Sequence, residues 1–260
     1  MIDTTVQVTQ PVKNNHLSWL WGIFIRPRAT INQIANQANG IWLLPLIAVS
    51  IAGLAYVLTA GWLKQLAAQT GQVQLPPDFQ YYLPEQQERF MQAVAATSGP
   101  AFGYVLPALA RLISIILGWL LVGNLLHLVL TMFGGRNTTT STLNLTAWSG
   151  LPYALRDLVR TIALLLTHQL IQAPGLSGFA PVGSEKMAQY LFHLLGLVDI
   201  YLIVHIVFLS IGAQVIGGVS ARKAWFGVLV TIMLVIGFQA LVGFGLSQLN
   251  SIQVVRPFFY

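Results

Sequence analysis

The sequence predicts an all-α integral membrane protein: a helical bundle with about five transmembrane helices, preceded by short amphipathic helices. The composition supports this prediction, because only 8% of the 260 residues are charged, 55% are hydrophobic and the mean hydropathy is +0.70. A soluble domain carries about a quarter charged residues, which cover its surface. The apolar residues are also gathered into long runs, so we expect most of the chain to lie in lipid.

Five apolar runs are long enough to form spanning helices, since a helix needs roughly 20 apolar residues to cross the hydrocarbon core. They lie at residues 41–63, 102–133, 152–172, 187–216 and 224–249. An odd number of crossings places the two chain ends on opposite sides of the membrane. A cytoplasmic N-terminus agrees with the excess of basic residues expected on that side. It places Lys13, Arg26, Arg28, Arg136, Arg222 and Lys223 inside, against Lys64, Arg89, Lys186 and Arg256 outside.

The segments around these runs complete the predicted domain organisation. Residues 1–16 form a polar tail, 17–40 amphipathic interfacial helices, 41–250 the five-helix membrane domain and 251–260 a second tail. Within the membrane domain, residues 64–100 are polar and too long for a tight turn, so we expect an extramembrane cap. In this cap, Pro84 followed by Glu85 and Glu88 indicates a helix start.

The third run contains three charged residues, Arg156, Asp157 and Arg160, in an otherwise apolar sequence. One interpretation is an anchor at the cytoplasmic end of the helix, where the arginines extend back to the headgroups and Asp157 pairs with Arg160. The other is a functional ionic site that faces neighbouring helices or headgroups, because charges within a membrane are costly and usually serve a function. Both interpretations remain open at this point.

Arg111 and Asp199 are further candidate intramembrane polar sites. Arg111 lies in the second run, which is too long for one upright crossing, so either the helix tilts or this end projects beyond the hydrocarbon. Asp199 lies near the middle of the fourth run, where a bare carboxylate would be costly. We expect it to be protonated or to have a partner, and Tyr104, Asn124 and the arginines of the third run are alternatives.

Before the first crossing, residues 17–40 consist of an aromatic apolar segment, an Arg-Pro-Arg break and a second segment with helical periodicity. This pattern predicts two short amphipathic helices. They lie either in the headgroup region or packed against the bundle, and the sequence favours neither. The candidate interfacial anchors are Trp19, Trp21, Arg26, Arg28 and Trp42.

Composition and motifs argue against several activities. The 13 basic residues are scattered, without the stripe that tracks nucleic-acid phosphates, and cysteine is absent. On one continuous helix, His193, Asp199 and His205 would point about 120° apart and would not converge on a metal. The segment GGRNTTTST has no P-loop lysine, and AWSG lacks the glycine that precedes a hydrolase nucleophile. We therefore predict no enzyme, no catalytic or metal-binding residue and no cofactor.

Three stretches carry a resemblance to a known family. They are WGIFIRPRATINQIA before the first crossing, GGRNTTTSTLNLTAWSGLPYALRDLVR at the third, and LVDIYLIVHIVFLSIGAQVIGGVSARKAW from the fourth into the fifth. Together they cover most of the chain from Trp21 to Trp225 and resemble the Yip domain family, named for interaction with Ypt/Rab GTPases. The segment GGVSARKA resembles its bacterial branch. The resemblance implies five transmembrane helices, a cytoplasmic N-terminus and a bacterial plasma membrane protein, and it supplies no catalytic residues.

Two classes of function fit these features. The first is a non-enzymatic scaffold or adaptor that organises the bilayer or a partner membrane complex. Its partners would be the lipid bilayer and other membrane subunits, without nucleic acid, and a permanent accessory subunit is a special case. The second is a transport subunit for a small solute or lipid. Transporters usually have paired inverted halves with broken helices, and five crossings do not divide evenly, so we favour the scaffold.

Overall fold

The computed structural model describes residues 16–253, apart from residues 36, 38, 70–78, 98 and 182–184. Nearly all of the predicted N-terminal tail, and the chain after residue 253, therefore lie outside the described residues. The described residues form helices and connecting segments, with no strand among them. The predicted all-α class is confirmed.

Ten α-helices make up the described fold. They are α1 (His16–Ile25), α2 (Pro27–Ala35), α3 (Leu43–Gln69), α4 (Pro84–Thr97), α5 (Leu106–Met132), α6 (Thr139–Ser149), α7 (Leu151–Thr167), α8 (Lys186–Gly196), α9 (Ile200–Gly217) and α10 (Ala221–Gln253). A π-helical turn, Ala101–Val105, precedes α5, and single 3₁₀ turns lie at Phe79–Tyr81 and Ser177–Phe179. The start of α4 at Pro84 agrees with the sequence prediction.

Four helices within the described residues are long and apolar enough to cross a membrane. They are Leu43–Ala67, Ala101–Met132, Ile200–Gly217 and Ala221–Gln248. The first, second and fifth predicted runs each correspond to one of these helices. The predicted membrane bundle is confirmed, whereas its third and fourth runs fold differently from single straight helices.

The third run folds as α7, whose 17 residues rise about 26 Å, slightly less than the hydrocarbon thickness. Gly150 alone separates α7 from α6, because it ends one helix and begins the other. Pro152 lies in the first turn of α7, where its missing N–H costs no hydrogen bond. The two helices are therefore one passage with a break at Gly150.

The two helices of this passage contact different neighbouring helices. α6 packs against α5, where Trp119 Nε1 donates a hydrogen bond of 2.9 Å to the Leu143 carbonyl. α7 packs along α3, and the Trp62 ring lies 6.2 Å from the His168 ring just beyond the end of α7. The 11 and 17 residues of the two helices together rise roughly 40 Å, which is enough to traverse a bilayer.

The fourth run is interrupted by a short break between α8 and α9. Asp199 is not in the middle of a helix, as the sequence suggested, but caps the start of α9 with an extended backbone. Its Oδ1 accepts a hydrogen bond of 2.9 Å from the Leu202 amide, which would otherwise lack a partner in the first turn. The predicted arrangement of His193, Asp199 and His205 around one helix is wrong, because these residues belong to two helices and their junction.

The N-terminal helices α1 and α2 pack against α6 and α9. The face that they turn inward carries Trp19, Ile23, Ile31 and Ile34, all of which are buried. The Trp19 ring meets the Trp148 ring of α6 edge-on, with 5.6 Å between centroids. Packing of these two helices against the bundle was one of the two predicted arrangements, and the buried inward face agrees with this arrangement.

Close contact between α6 and α9 depends on the absence of a side chain at Gly212. A Cβ atom at this position would lie 2.0 Å from Leu145 Cδ1, and the neighbouring Ala213 is fully buried. Small residues allow such crossings in membranes, where apolar side chains gain little by leaving lipid for a neighbouring helix. The small-residue segment of α9 is therefore used inside one subunit.

Replacing Gly212 with alanine is expected to destabilise the protein by about 1–3 kcal/mol, because Leu145 or the whole of α6 must shift. Thermal unfolding in detergent measures the effect. Gly245→Ala in α10 is the matched control, since nothing lies within 4 Å of a Cβ atom there. Adding Leu145→Ala to the Gly212 variant should recover part of the loss. Equal stability of the Gly212 and Gly245 variants would contradict this account.

Candidate functional site

Five charged side chains from three helices meet inside the bundle. Arg111 comes from α5, Arg156, Asp157 and Arg160 come from α7, and Asp199 comes from the cap of α9. The α7 residues lie within little more than one helical turn, and the break before α9 brings Asp199 to them. These five residues, here called the ion cluster, are the intramembrane candidates that the sequence indicated.

Asp157 is the most deeply buried member of the ion cluster, with 1% of its side chain exposed. Its Oδ2 accepts a hydrogen bond from the Arg111 guanidinium, and its Oδ1 accepts one of 3.2 Å from Arg156 Nε. The expected local pair with Arg160 is not the arrangement found, because the nearest cations are the adjacent residue and an arginine of α5. A buried carboxylate needs such partners, since its desolvation is costly.

Asp199 joins both arginines of α7. Its Oδ2 lies 3.5 Å from Arg156 and 3.5 Å from Arg160, while Oδ1 caps α9. Of the partners considered from sequence, the arginines of the third run are the ones that the structure places beside it. Tyr104 and Asn124 bond elsewhere, to Gln65 Oε1 and to a carbonyl of α5 respectively.

The ion cluster has a formal excess of one positive charge, because three arginines face two aspartates. Among the described residues, the other carboxylates are Glu85, Glu88 and Glu185, which belong to α4 and to the cap of α8 and form no ion pair with it. Arg111 lies roughly 15 Å along the 32-residue candidate span that begins at Ala101. The ion cluster thus holds one cation more than its carboxylates neutralise.

Gly53 of α3 makes room for the arginine of α5. A Cβ atom at Gly53 would lie 2.8 Å from Arg111 Nε and 3.3 Å from its Cγ. The Nε atom is buried and has no hydrogen-bond partner, so the guanidinium is held by packing on one side and by Asp157 on the other. Arg111 is therefore packed between α3 and α7.

A cavity of about 210 Å³ lies beside the ion cluster, among α3, α5, α6, α7, α9 and α10. Most of its lining is aliphatic. Its polar lining residues include Arg111, Ser114, Tyr153, Arg156 and Gln239. The two aspartates of the ion cluster do not line it, so the arginines present the charge that the cavity meets. Such a mixed wall suits an amphiphilic or anionic occupant.

The candidate interfacial anchors occupy different environments. Trp21 is 75% exposed, and Arg26 and Arg28 are also exposed. Trp19 is buried against α6 and does not face outward. Trp42 is half-buried and stacks on Trp119, with 4.9 Å between ring centroids. Of the two α1 tryptophans, only Trp21 is therefore positioned to contact lipid.

Sequence reasoning missed a polar clamp that joins α6 to the chain before α3. Asn144 is fully buried, accepts a hydrogen bond from the Ile41 amide and donates one to the Asn39 carbonyl, each at 2.8 Å. Trp148, one turn further on, donates from Nε1 to the Ile41 carbonyl at 3.1 Å. The signal in the sequence is the polar content of NLTAW in an apolar chain.

Two histidines make specific hydrogen bonds within the bundle. His205 Nδ1 lies 2.8 Å from the Ser149 carbonyl, and His127 Nδ1 lies 2.7 Å from Asn137 Nδ2. Among the described residues, no three His, Cys, Asp or Glu side chains come together as a metal site would require. The polar chemistry of the described bundle is concentrated in the ion cluster and the cavity.

Comparison with known proteins adds one finding. The family model of the Yip1 domain matches residues 21–244, which include the whole ion cluster and the cavity lining. The chain belongs to the Yip1 domain family. No curated protein and no solved structure matches it. Yip1-domain proteins are membrane proteins without a known enzymatic activity, in agreement with the spanning helices described above.

Proposed function

We propose that this Yip1-domain protein is a non-enzymatic membrane scaffold that organises the bilayer or a partner membrane complex. The observation that carries the proposal is the outward face of α1, where Leu17, Trp21 and Ile25 are 62%, 75% and 73% exposed. Residues four apart lie on one face of a helix, so these side chains form one apolar stripe. We call this surface the α1 stripe. The exposed Arg26 and Arg28 follow it directly.

The opposite face of α1 explains why the α1 stripe suits a scaffold. Trp19 and Ile23 are buried against the bundle, and Phe24 meets the Phe208 ring of α9 with 6.1 Å between centroids. The stripe is therefore presented from a fixed position. An apolar helix face flanked by basic residues favours the boundary between acyl chains and anionic headgroups. A partner's transmembrane helix would meet the same surface there.

We also propose a plasma membrane protein of bacterial type with a cytoplasmic N-terminus and the C-terminus on the other side. Basic residues support this orientation. The Arg136 amide donates to the Gly217 carbonyl, and Lys223 Nζ donates to the Phe133 carbonyl. Arg136, Arg222 and Lys223 therefore share one end of the bundle, and positive charge favours the cytoplasmic side.

The scaffold is tested with the triple variant Leu17→Ser, Trp21→Ser, Ile25→Ser. We expect its thermal unfolding to match that of the wild type, because the α1 stripe makes no part of the core. We expect the assembly extracted from native membranes in mild detergent to lose its fixed partners, as measured by native gel and mass spectrometry. Asn32→Ala/Gln33→Ala, on the exposed polar face of α2, is the matched control. An unchanged assembly in the triple variant would exclude this role of the stripe.

A second candidate function is transport of a small solute or lipid. The break between α8 and α9 favours it, because Asp199 lies at this break and belongs to the ion cluster. Transporters bind substrates at broken helices near mid-depth. Solute uptake by liposomes that contain only this protein would support transport. If the α1 stripe variant takes up solute as the wild type does, transport does not depend on the surface proposed for the scaffold role.

A further inference from the structure

We propose that the cavity beside the ion cluster binds the phosphate head group of an anionic amphiphile. This ligand site goes beyond the scaffold role and does not depend on the α1 stripe. Four features of the structure support it: the position of the arginines, the polar groups of the lining, the excess charge, and the size and apolar character of the remaining wall.

The arginines face the cavity while their counter-charges do not. Arg111 and Arg156 line it, whereas Asp157 and Asp199 contact these arginines from outside the lining. Tyr153 helps to hold one of them in place, because the Arg156 guanidinium carbon lies 4.8 Å from the centre of its ring. Guanidinium groups match phosphate oxygens in charge and geometry. An anion in the cavity would therefore meet two oriented donors.

Three further polar side chains line the cavity: Ser114, Tyr153 and Gln239. Arg111 Nε is buried and has no hydrogen-bond partner among the described residues, whereas polar groups in a protein interior are nearly always paired, with protein, water or ligand. A hydroxyl, a phenol and an amide can all donate, and a phosphate has more acceptor positions than a carboxylate. The donor set on this wall thus favours phosphate.

The charge balance points to the same class of ligand. The ion cluster retains one positive charge more than its carboxylates neutralise, and Arg111 lies within a candidate membrane span. Charges in this position are usually paired or face a polar cavity. A phosphate in the cavity supplies the missing negative charge without displacing either aspartate.

The rest of the lining is aliphatic, and it includes Val122, Ile232, Val235 and Ile236. With a volume of about 210 Å³, the cavity has room for a phosphate group and the first carbons attached to it. The apolar wall and the limited volume therefore indicate an amphiphile whose chain continues outward.

The test uses the full chain, stripped of lipid in a nonionic detergent, with dioctanoyl phosphatidic acid as the probe. We expect a saturable rise in the unfolding midpoint and one bound molecule by native mass spectrometry. Dioctanoyl phosphatidylcholine has the same chains and no net charge, and it should do neither. Inorganic phosphate distinguishes the source: an equal rise with phosphate alone identifies a free anion as the ligand of the same site.

Three variants leave every ion pair intact. A Cβ atom at Gly118 meets only Gln239 Nε2, at 3.8 Å, so Gly118→Ala should bind as the wild type does. Gly118→Leu fills the cavity and should weaken binding more than about tenfold, and Gln239→Leu removes one donor and should weaken it up to about tenfold. Equal binding of both lipids, or undiminished binding by Gly118→Leu, would overturn the proposal. The α1 stripe variant should bind the probe normally, so the two proposals fail independently.

Discussion

Replacing Asp157 with leucine is expected to lower the free energy of unfolding by about 3–5 kcal/mol. The reason is that Arg111 and Arg156 would remain buried at membrane depth without their shared carboxylate. Removal of one partner from a buried ion pair is far more costly than replacement of the whole pair, because the remaining charge cannot regain its hydration. Thermal unfolding in detergent, together with the yield of folded protein, measures the loss.

A double variant distinguishes the loss of the ion pair from the loss of side-chain packing. Arg111→Met/Asp157→Leu removes one cation and one anion together, so we expect it to recover most of the stability. Asp157→Asn preserves size and one acceptor, and it should fall between the wild type and Asp157→Leu. If Asp157→Leu unfolds at the wild-type temperature, the cluster is hydrated, and the anchor interpretation of the third run is the better one.

The long spans could be predicted from sequence because they depend on composition alone. α3, α5 and α10 each coincide with a run of about the length that a bilayer requires. Such helices satisfy their own backbone groups in lipid, so no knowledge of neighbouring helices is needed to recognise them. For this reason hydropathy was sufficient for most of the bundle.

The breaks in the third and fourth passages depend on local helix capping. Hydropathy is averaged over many residues and does not detect a single capping residue. Asp199 before an apolar stretch is a recognisable helix start, yet it lies in a run apolar enough to suggest one helix. The break at Gly150 lies before the third run, whose predicted start at Pro152 agrees with the start of α7. A residue-level capping rule, applied inside the fourth run, would also have found the break at Asp199.

The members of the ion cluster could be predicted individually, but their pairing could not. Charged residues in apolar runs are conspicuous, so all five were candidates. Their partners depend on which helices are adjacent, and a single sequence does not contain that information. Even Gly53, which admits Arg111, resembles any other small residue of a membrane helix. The cavity is likewise a product of the packing of six helices.

The second large effect is expected at Trp148, which is fully buried and holds the N-terminal helices on α6. Its ring meets Trp19, and its Nε1 donates to the Ile41 carbonyl at 3.1 Å. Trp148→Ala removes both contacts and leaves a large cavity, so we expect a loss of about 3–5 kcal/mol. Because the lost contacts connect α1 to the bundle, the local effect should be release of α1 and α2.

Limited trypsin digestion after Arg28, which is exposed in the first turn of α2, measures this release, because trypsin does not cleave the Arg26–Pro27 bond. Cleavage in membranes should be faster in Trp148→Ala than in the wild type, since a docked backbone resists the protease. Trp148→Phe keeps most of the ring packing and loses only the hydrogen bond, so its stability should fall by about 1 kcal/mol. Unchanged cleavage in Trp148→Ala would mean that lipid, rather than α6, holds the N-terminal helices. The α1 stripe would then be the principal attachment of these helices, and its serine variant should show the faster cleavage instead.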